Sequence, residues 1–104
     1  MKVHWTNHAK RRLHHIHDHI ATTAPKAADQ TIRKILLRSR QIGDLPYAGR
    51  EVPEYRREDI RELLVRPYRI IYRLRTRKID VLTVMHFRQL LPEDSHTFEN
   101  EANE

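Results

Sequence analysis

At 104 residues, 38% of them hydrophobic, the chain suffices for one domain with a modest core and is too short for two. It holds no cysteine, no run near the roughly 18 apolar residues that suggest a membrane span, and no apolar leader after Met-Lys-Val-His-Trp; this excludes disulfides and thiolate chemistry and fits a cytoplasmic protein with no membrane partner. The formal charge is +6, but five of the fourteen acids and none of the twenty Lys and Arg fall in residues 92–104, so residues 1–91 carry +11 and point to a polyanionic or acidic partner.

In chain order, Lys2 to Trp5 reads as a short strand, and Thr6 is placed to cap a helix because its hydroxyl can accept from the free amides of the first turn. Ala9, Leu13, Ile16 and Ile20 then form one apolar stripe. Thr22-Thr23-Ala24 breaks the pattern, and Pro25 suits the first turn of a second helix. Ala28, Ile32, Ile35, Leu36, Ser39 and Ile42 mark that helix's buried face, with Gly43 as a left-handed stop. So short a link predicts an antiparallel helical hairpin. Residues 43–59 are irregular, punctuated by Pro46, Gly49 and Pro53, with Leu45, Tyr47, Val52 and Tyr55 available to pin them to the core.

From Ile60 onward apolar residues recur at every second position, which predicts strands near 60–65, 68–75 and 79–86. The Arg66-Pro67 and Thr76-Arg77 breaks are too short for crossovers, so the three strands form an antiparallel meander. Arg61, Arg69, Arg73 and Arg75 are threaded through it where a half-buried sheet would carry Thr or Ser, making one face a candidate anion-binding surface. On the middle strand Tyr68, Ile70, Tyr72 and Leu74 should face the helices, and Arg69, Ile71, Arg73 and Arg75 the open side. The expected fold is a two-layer α+β domain of order β-α-α-β-β-β, a strand and helical hairpin on a twisted antiparallel sheet. It spans residues 1–92 and leaves 93–104 as an acidic tail open to three fates: ordered by the antitoxin, folded over the basic body, or loose.

Trp5-Thr6 before the first helix, Leu45-Pro46-Tyr47-Ala48-Gly49-Arg50 after the second, Ile60-Arg61-Glu62-Leu63, Tyr68-Arg69-Ile70-Ile71-Tyr72-Arg73 and Val84-Met85-His86-Phe87-Arg88 occur in an order and spacing that resemble the RelE/ParE superfamily of bacterial toxins from type II toxin–antitoxin modules. The resemblance implies the fold just derived, growth inhibition of the kind that underlies plasmid stabilisation, and an antitoxin encoded alongside. That antitoxin is expected to lay an acidic or amphipathic segment on the basic sheet or the helical hairpin.

Two target classes follow from the resemblance. RelE-like relatives cleave messenger RNA on the translating ribosome, which takes a base for the ribose 2′-hydroxyl, cations at the phosphate and an acid for the leaving oxygen. Arg69 matches the family's arginine and His86 a histidine of some relatives, with Arg61 as a third candidate, but the usual lysines are replaced by Ile60, Arg61 and Glu62 and no tyrosine follows His86. ParE-like relatives poison DNA gyrase without a nuclease set. The ending His86-Phe87-Arg88-Gln89-Leu90-Leu91-Pro92 is nearer theirs. The favoured reading is a non-enzymatic gyrase poison without catalytic residues or cofactor, contacting its target or nucleic acid through Arg61, Arg69, Arg73, His86 and Arg88. The bland alternative makes Arg61 beside Glu62, and Arg73 near Asp80, ordinary charge pairs.

His14, His15, His17 and His19, with His8 and Asp18, crowd the first helix. His15 and His19 share a face and could chelate a metal if two more ligands, such as His4 or His8, came to them. Solvated histidines are the simpler reading, and no metal is expected. The cluster would gain charge below about pH 6.5, the unperturbed histidine value.

Overall fold

The computed structural model describes residues 1–98. Strand β1 (Lys2–Trp5) leads into helix α1 (Asn7–Ala21), α2 (Pro25–Asp44), the two-residue strand β2 (Arg50–Glu51), β3 (Ile60–Val65), β4 (Tyr68–Leu74) and β5 (Lys78–His86). Thr6 caps α1 by accepting from the Ala9 amide at 3.1 Å, while its hydroxyl donates to the Leu82 carbonyl at 3.3 Å. One residue thus starts the helix and fixes it to β5. Pro25 occupies the opening position of α2. No helix among the described residues is long and apolar enough to cross a membrane.

The sheet has the order β1-β5-β4-β3-β2. β3, β4 and β5 form the expected antiparallel meander, and the helical hairpin covers one face. Two edges are added to it. β1 lies parallel to β5, pairing Val3 with Ile79 and Trp5 with Val81, and β2 lies antiparallel to β3, pairing Arg50 with Glu62. Under the helices Ile16, Ile35, Ile42, Ile70, Tyr72, Ile79, Val81 and Val84 form the main core, with Tyr68 and Leu74 packed against it.

The opposite face is covered in part rather than open. Val52, Ile60, Ile71, Leu82, Met85 and Phe98 make a second apolar cluster, with Tyr55 and Leu91 at its margin. Burying each aliphatic side chain there contributes about 1.5–3 kcal/mol, so the loop at 52–59 and the segment at 91–98 are held to the sheet by the same force as the helices. Tyr55 Oη donates to the Pro92 carbonyl at 2.8 Å, and Arg57 donates to Ser95 Oγ at 3.0 Å. The acidic tail beyond Phe98 lies outside the described residues.

Three local expectations change. Gly43 is not in the left-handed region, and α2 continues through it to Asp44. Glycine is required there because a Cβ would stand 2.6 Å from the Met1 carbonyl oxygen. Leu45 and Tyr47 do not pin the loop; each is 65% exposed. Tyr72 does that work instead. Wholly buried, its hydroxyl donates to the Pro46 carbonyl at 2.8 Å and accepts from the Gly49 amide at 3.0 Å. Burial pushes the phenol above its usual value against the opposing pull of the Gly49 amide.

Replacing Tyr72 with Phe should therefore cost about 1–3 kcal/mol in chemical denaturation, because two backbone groups of the 46–49 loop lose their partner. A loss below about 0.5 kcal/mol would show that the hydroxyl does not hold the loop.

Candidate functional site

Alternation along β3 and β4 decides which arginines can meet. Residues directly paired across antiparallel strands share a face. Arg69 pairs with Leu64 and Met85, which places it on the second face beside Glu62 and Ile71. Arg61 pairs with Tyr72 and so lies on the helix side, at the β3 edge. Its guanidinium donates to the carbonyls of Gly49 at 2.9 Å and Glu58 at 3.0 Å and stacks over the Tyr47 ring at 4.7 Å. His86 pairs with Tyr68 and also turns to the helix side. The candidate nuclease set of Arg69, His86 and Arg61 is thus divided by the sheet itself.

Arg69 sits in a closed electrostatic network. Its Nε donates to Glu62 Oε2 at 2.6 Å, and its two terminal nitrogens grip both oxygens of Glu54 at 2.9 and 3.0 Å. Arg50 donates to the other oxygen of Glu62 at 2.7 Å. Glu62 has no exposed side-chain surface, Arg69 has 9% and Glu54 has 44%. The Arg69 hydrogen bonds hold the Glu54 carboxyl below its usual range, and Glu54 first, then Glu62, raises the guanidinium. Two cations and two carboxylates cancel, so this network is not a phosphate cradle. Sequence reading singled out Arg69 but missed Glu54, Glu62 and Arg50. The available signal was Glu62 itself, an acid at a core position of an alternating strand.

The other meander arginines are also engaged. Arg73 donates to Asp59 at 3.2 Å rather than meeting Asp80, its cross-strand neighbour. Burial alone would raise Asp59, but Arg57 and then Arg73 outweigh it and keep that carboxyl low. Asp80, fully buried, takes Arg75 and Lys78 at 3.5 Å and His4 at 3.2 Å. The arginine side of the sheet is therefore largely neutralised, and Glu62 is paired with Arg69 and Arg50 rather than with Arg61.

Accessible cations gather instead at one end of the sheet. Exposed Arg66 in the β3–β4 turn lies over the Phe87 ring at 5.8 Å, and exposed Arg88 follows it. Beside them a hollow of about 380 Å³ is lined by Arg50, Leu64, Arg66 and Phe87 together with Glu54 and Arg69 of the network. His86 is fixed here by its neighbour, since the Arg88 amide donates to its Nδ1 at 3.0 Å and leaves the ring proton on Nε2.

A second feature lies on the far side of the molecule. Trp5, Leu13, Ile32 and Leu36 line an apolar groove of about 480 Å³ between α1 and α2, with Lys10, His14 and His17 at its margin. Next along α2, Leu37 is 58% exposed among Arg33, Lys34 and Arg38. The helix-one histidines divide by role. His17 spans the hairpin, with Nε2 at 2.9 Å from Asp29 and Nδ1 at 3.3 Å from Asp18. His4 and His8 go to Asp80 and Thr83, away from His15 and His19. Among the described residues no three His, Cys, Asp or Glu side chains come together as a metal site.

A strand and helical hairpin on an antiparallel meander give the fold expected of the RelE/ParE superfamily. The chain belongs to the ParE family: residues 3–91 match the family model described as "ParE toxin of type II toxin-antitoxin system, parDE". A protein of Sinorhizobium fredii named "Putative toxin Y4kP" is 34% identical over 94 residues, covering 88% of this chain and 94% of its own. A solved chain of a "Chromosomal ParDE TA system from P. aeruginosa" has the same fold, with a TM-score of 0.71 at 24% identity over 83% of this chain and 95% of that one.

Truncating Arg69 to Met should destabilise the fold by about 3–5 kcal/mol, because Glu62 is left buried with half its compensation. The double variant Arg69→Met, Glu62→Leu should recover most of that loss in the same denaturation experiment. If the single variant folds as stably as the parent, the network has no structural role. A second expectation concerns pH. The Asp29 and then the Asp18 hydrogen bonds raise the His17 pKa above 6.5, so its stabilising link is complete below the unfolded value and is lost as pH rises through the higher folded one. The gap in melting temperature between the parent and Asp29→Asn should be larger at about pH 6 than at about pH 8.5. An equal gap at both would remove the link.

Proposed function

We propose that this chain is a growth-inhibiting ParE-type toxin that acts in the cytoplasm by trapping DNA gyrase on cleaved DNA, without catalytic residues of its own, and that a neighbouring gene supplies the antitoxin that neutralises it. One observation carries the choice of target. Cleavage of RNA needs a base, an acid and phosphate-binding cations around one bond. Here Arg69 is neutralised by Glu54 and Glu62, while His86 lies on the other side of the sheet. With the set that the resemblance implies divided between two faces of the sheet, we read inhibition by binding rather than by cleavage. His86 and Arg88, joined by Arg66 and Phe87, are the contacts proposed for the enzyme–DNA complex; Arg69 supports the sheet beneath them, while Arg73, paired with Ile60 and Asp80, lies at the other end of β4.

For the antitoxin we infer the groove between α1 and α2. Its apolar floor and the cations along α2 suit an amphipathic helix with an acidic margin. Such a helix would bury Leu36 and Ile32 as anchors, each contributing about 1.5–3 kcal/mol.

The target is tested with purified gyrase and supercoiled plasmid. Cleaved DNA should accumulate only when toxin and gyrase are both present, and Arg88→Glu should reduce it at least about tenfold, the loss of one charge-assisted contact. Toxin expressed alone should stop DNA synthesis before translation; early arrest of translation with DNA synthesis intact would overturn the gyrase reading. For the groove, Leu36→Glu should leave toxicity in place while co-expressed antitoxin no longer rescues growth. Full rescue of that variant would move the antitoxin to another surface.

A further inference from the structure

Where α1 crosses the end of the sheet, Arg12, His15 and His19 face His86, Tyr68 and Gln89 across a hollow of about 240 Å³ floored by Ile16. Its polar groups share one character. Gln89 Oε1 accepts twice, from the His86 amide at 2.8 Å and from Arg12 at 3.2 Å. Among the described residues this leaves the two N–H bonds of the Gln89 amide as donors without a protein acceptor. Arg12 donates from Nε to the Val84 carbonyl at 3.4 Å and from one terminal nitrogen to Gln89, both neutral acceptors, so among the described residues its charge is not matched by a carboxylate. His86, with Nδ1 occupied by the Arg88 amide, presents Nε2–H. The Tyr68 ring stands edge-on to the imidazole of His86 and fixes its plane. Among the described residues no carboxylate lines the hollow.

We propose that this hollow binds a phosphate group. An arginine, an imidazole N–H and an amide NH2 held around an apolar floor supply donors and one uncompensated charge, the pairing that an oxyanion with several acceptor oxygens requires. His15 and His19, one turn apart on α1, extend the same set of ring nitrogens along the rim. The donors are pre-set by the protein's own hydrogen bonds, so little side-chain ordering remains to be done on binding. The assignment stands on this hollow alone and does not depend on which enzyme the toxin inhibits. The phosphate could be carried by the terminus of a nucleotide or by a nucleic-acid backbone, and the two share this recognition chemistry.

The test follows the imidazole C–H and Gln89 side-chain NH2 signals by NMR in the full chain during titration with inorganic phosphate. Saturable shifts at His15, His19, His86 and Gln89, with a dissociation constant of about 1 mM, are expected. Gln89→Glu keeps the shape and the acceptor oxygen but replaces the donors with a negative charge, and should weaken binding at least about tenfold. Arg12→Gln should do the same, and unchanged melting of Gln89→Glu serves as the check on folding. Dinucleotides with and without a 5′-phosphate then distinguish the sources: stronger binding of the phosphorylated one assigns a terminal monoester, equal binding a backbone diester. Shifts that do not saturate, or that persist unchanged in Gln89→Glu, would overturn the proposal.

Discussion

A carboxylate wholly removed from water must be met by charge, and Glu62 is the place where this molecule meets that demand. Arg69 answers from the neighbouring strand and Arg50 from the edge, and Glu54 in turn occupies the far side of Arg69. Each partner lies on a different piece of chain, so the network sets where the loop after α2 must run. It carries β2 against β3, and it brings residues 52–54 over the sheet so that Val52 can enter the second apolar cluster. The fold around this face is organised by electrostatic completion as much as by apolar burial. Its specificity comes from the fact that a partial version would be worse than none.

The same demand explains how function is distributed. Charge spent on internal carboxylates is not available to a partner, so the arginine-rich meander is quieter than its composition suggests. Among the described residues, cations without a carboxylate partner include Arg66 in a turn, Arg88 past the last strand and Arg12 where α1 overhangs β5, besides those along α2. The chain belongs to the ParE family, and its sheet keeps Arg69 and His86 on opposite faces.

Much of this was legible in the residues. The hairpin, the meander, the Thr6 cap and the tyrosine side of β4 all depend on local periodicity and capping, which sequence displays directly. What escaped depends on long-range partners. Nothing local in Arg50-Glu51 marks a strand; it becomes one because β3 offers an edge. Gly43 reads as a helix stop, yet its reason is the chain start packed 42 residues away in sequence. The arginine side read as open because Val52, Ile71 and Leu82 are individually unremarkable, and only the returning loop and Phe98 turn them into a core. An irregularity between Ile71 and Tyr72 against β5 adds a residue to that strand, so Leu82 joins the second face, a shift that simple alternation cannot show. For the site, the arginines were visible and their counter-ions were not, since parity names a face but not who shares it.

One feature of the topology bears on how the toxin comes into being. β5 is flanked by β1 on one side and β4 on the other, so the last strand of the sheet lies between the first and the one just before it. The contact of Thr6 with Leu82 closes a loop of 76 residues, nearly the whole domain. Closure of that length comes late, because its entropy cost precedes the contacts that reward it. Until residues 78–86 are in place β1 has no partner strand and α1 has no sheet edge to cross. The β1 edge and the Thr6 anchor of α1 are thus complete only once the last strand is in place.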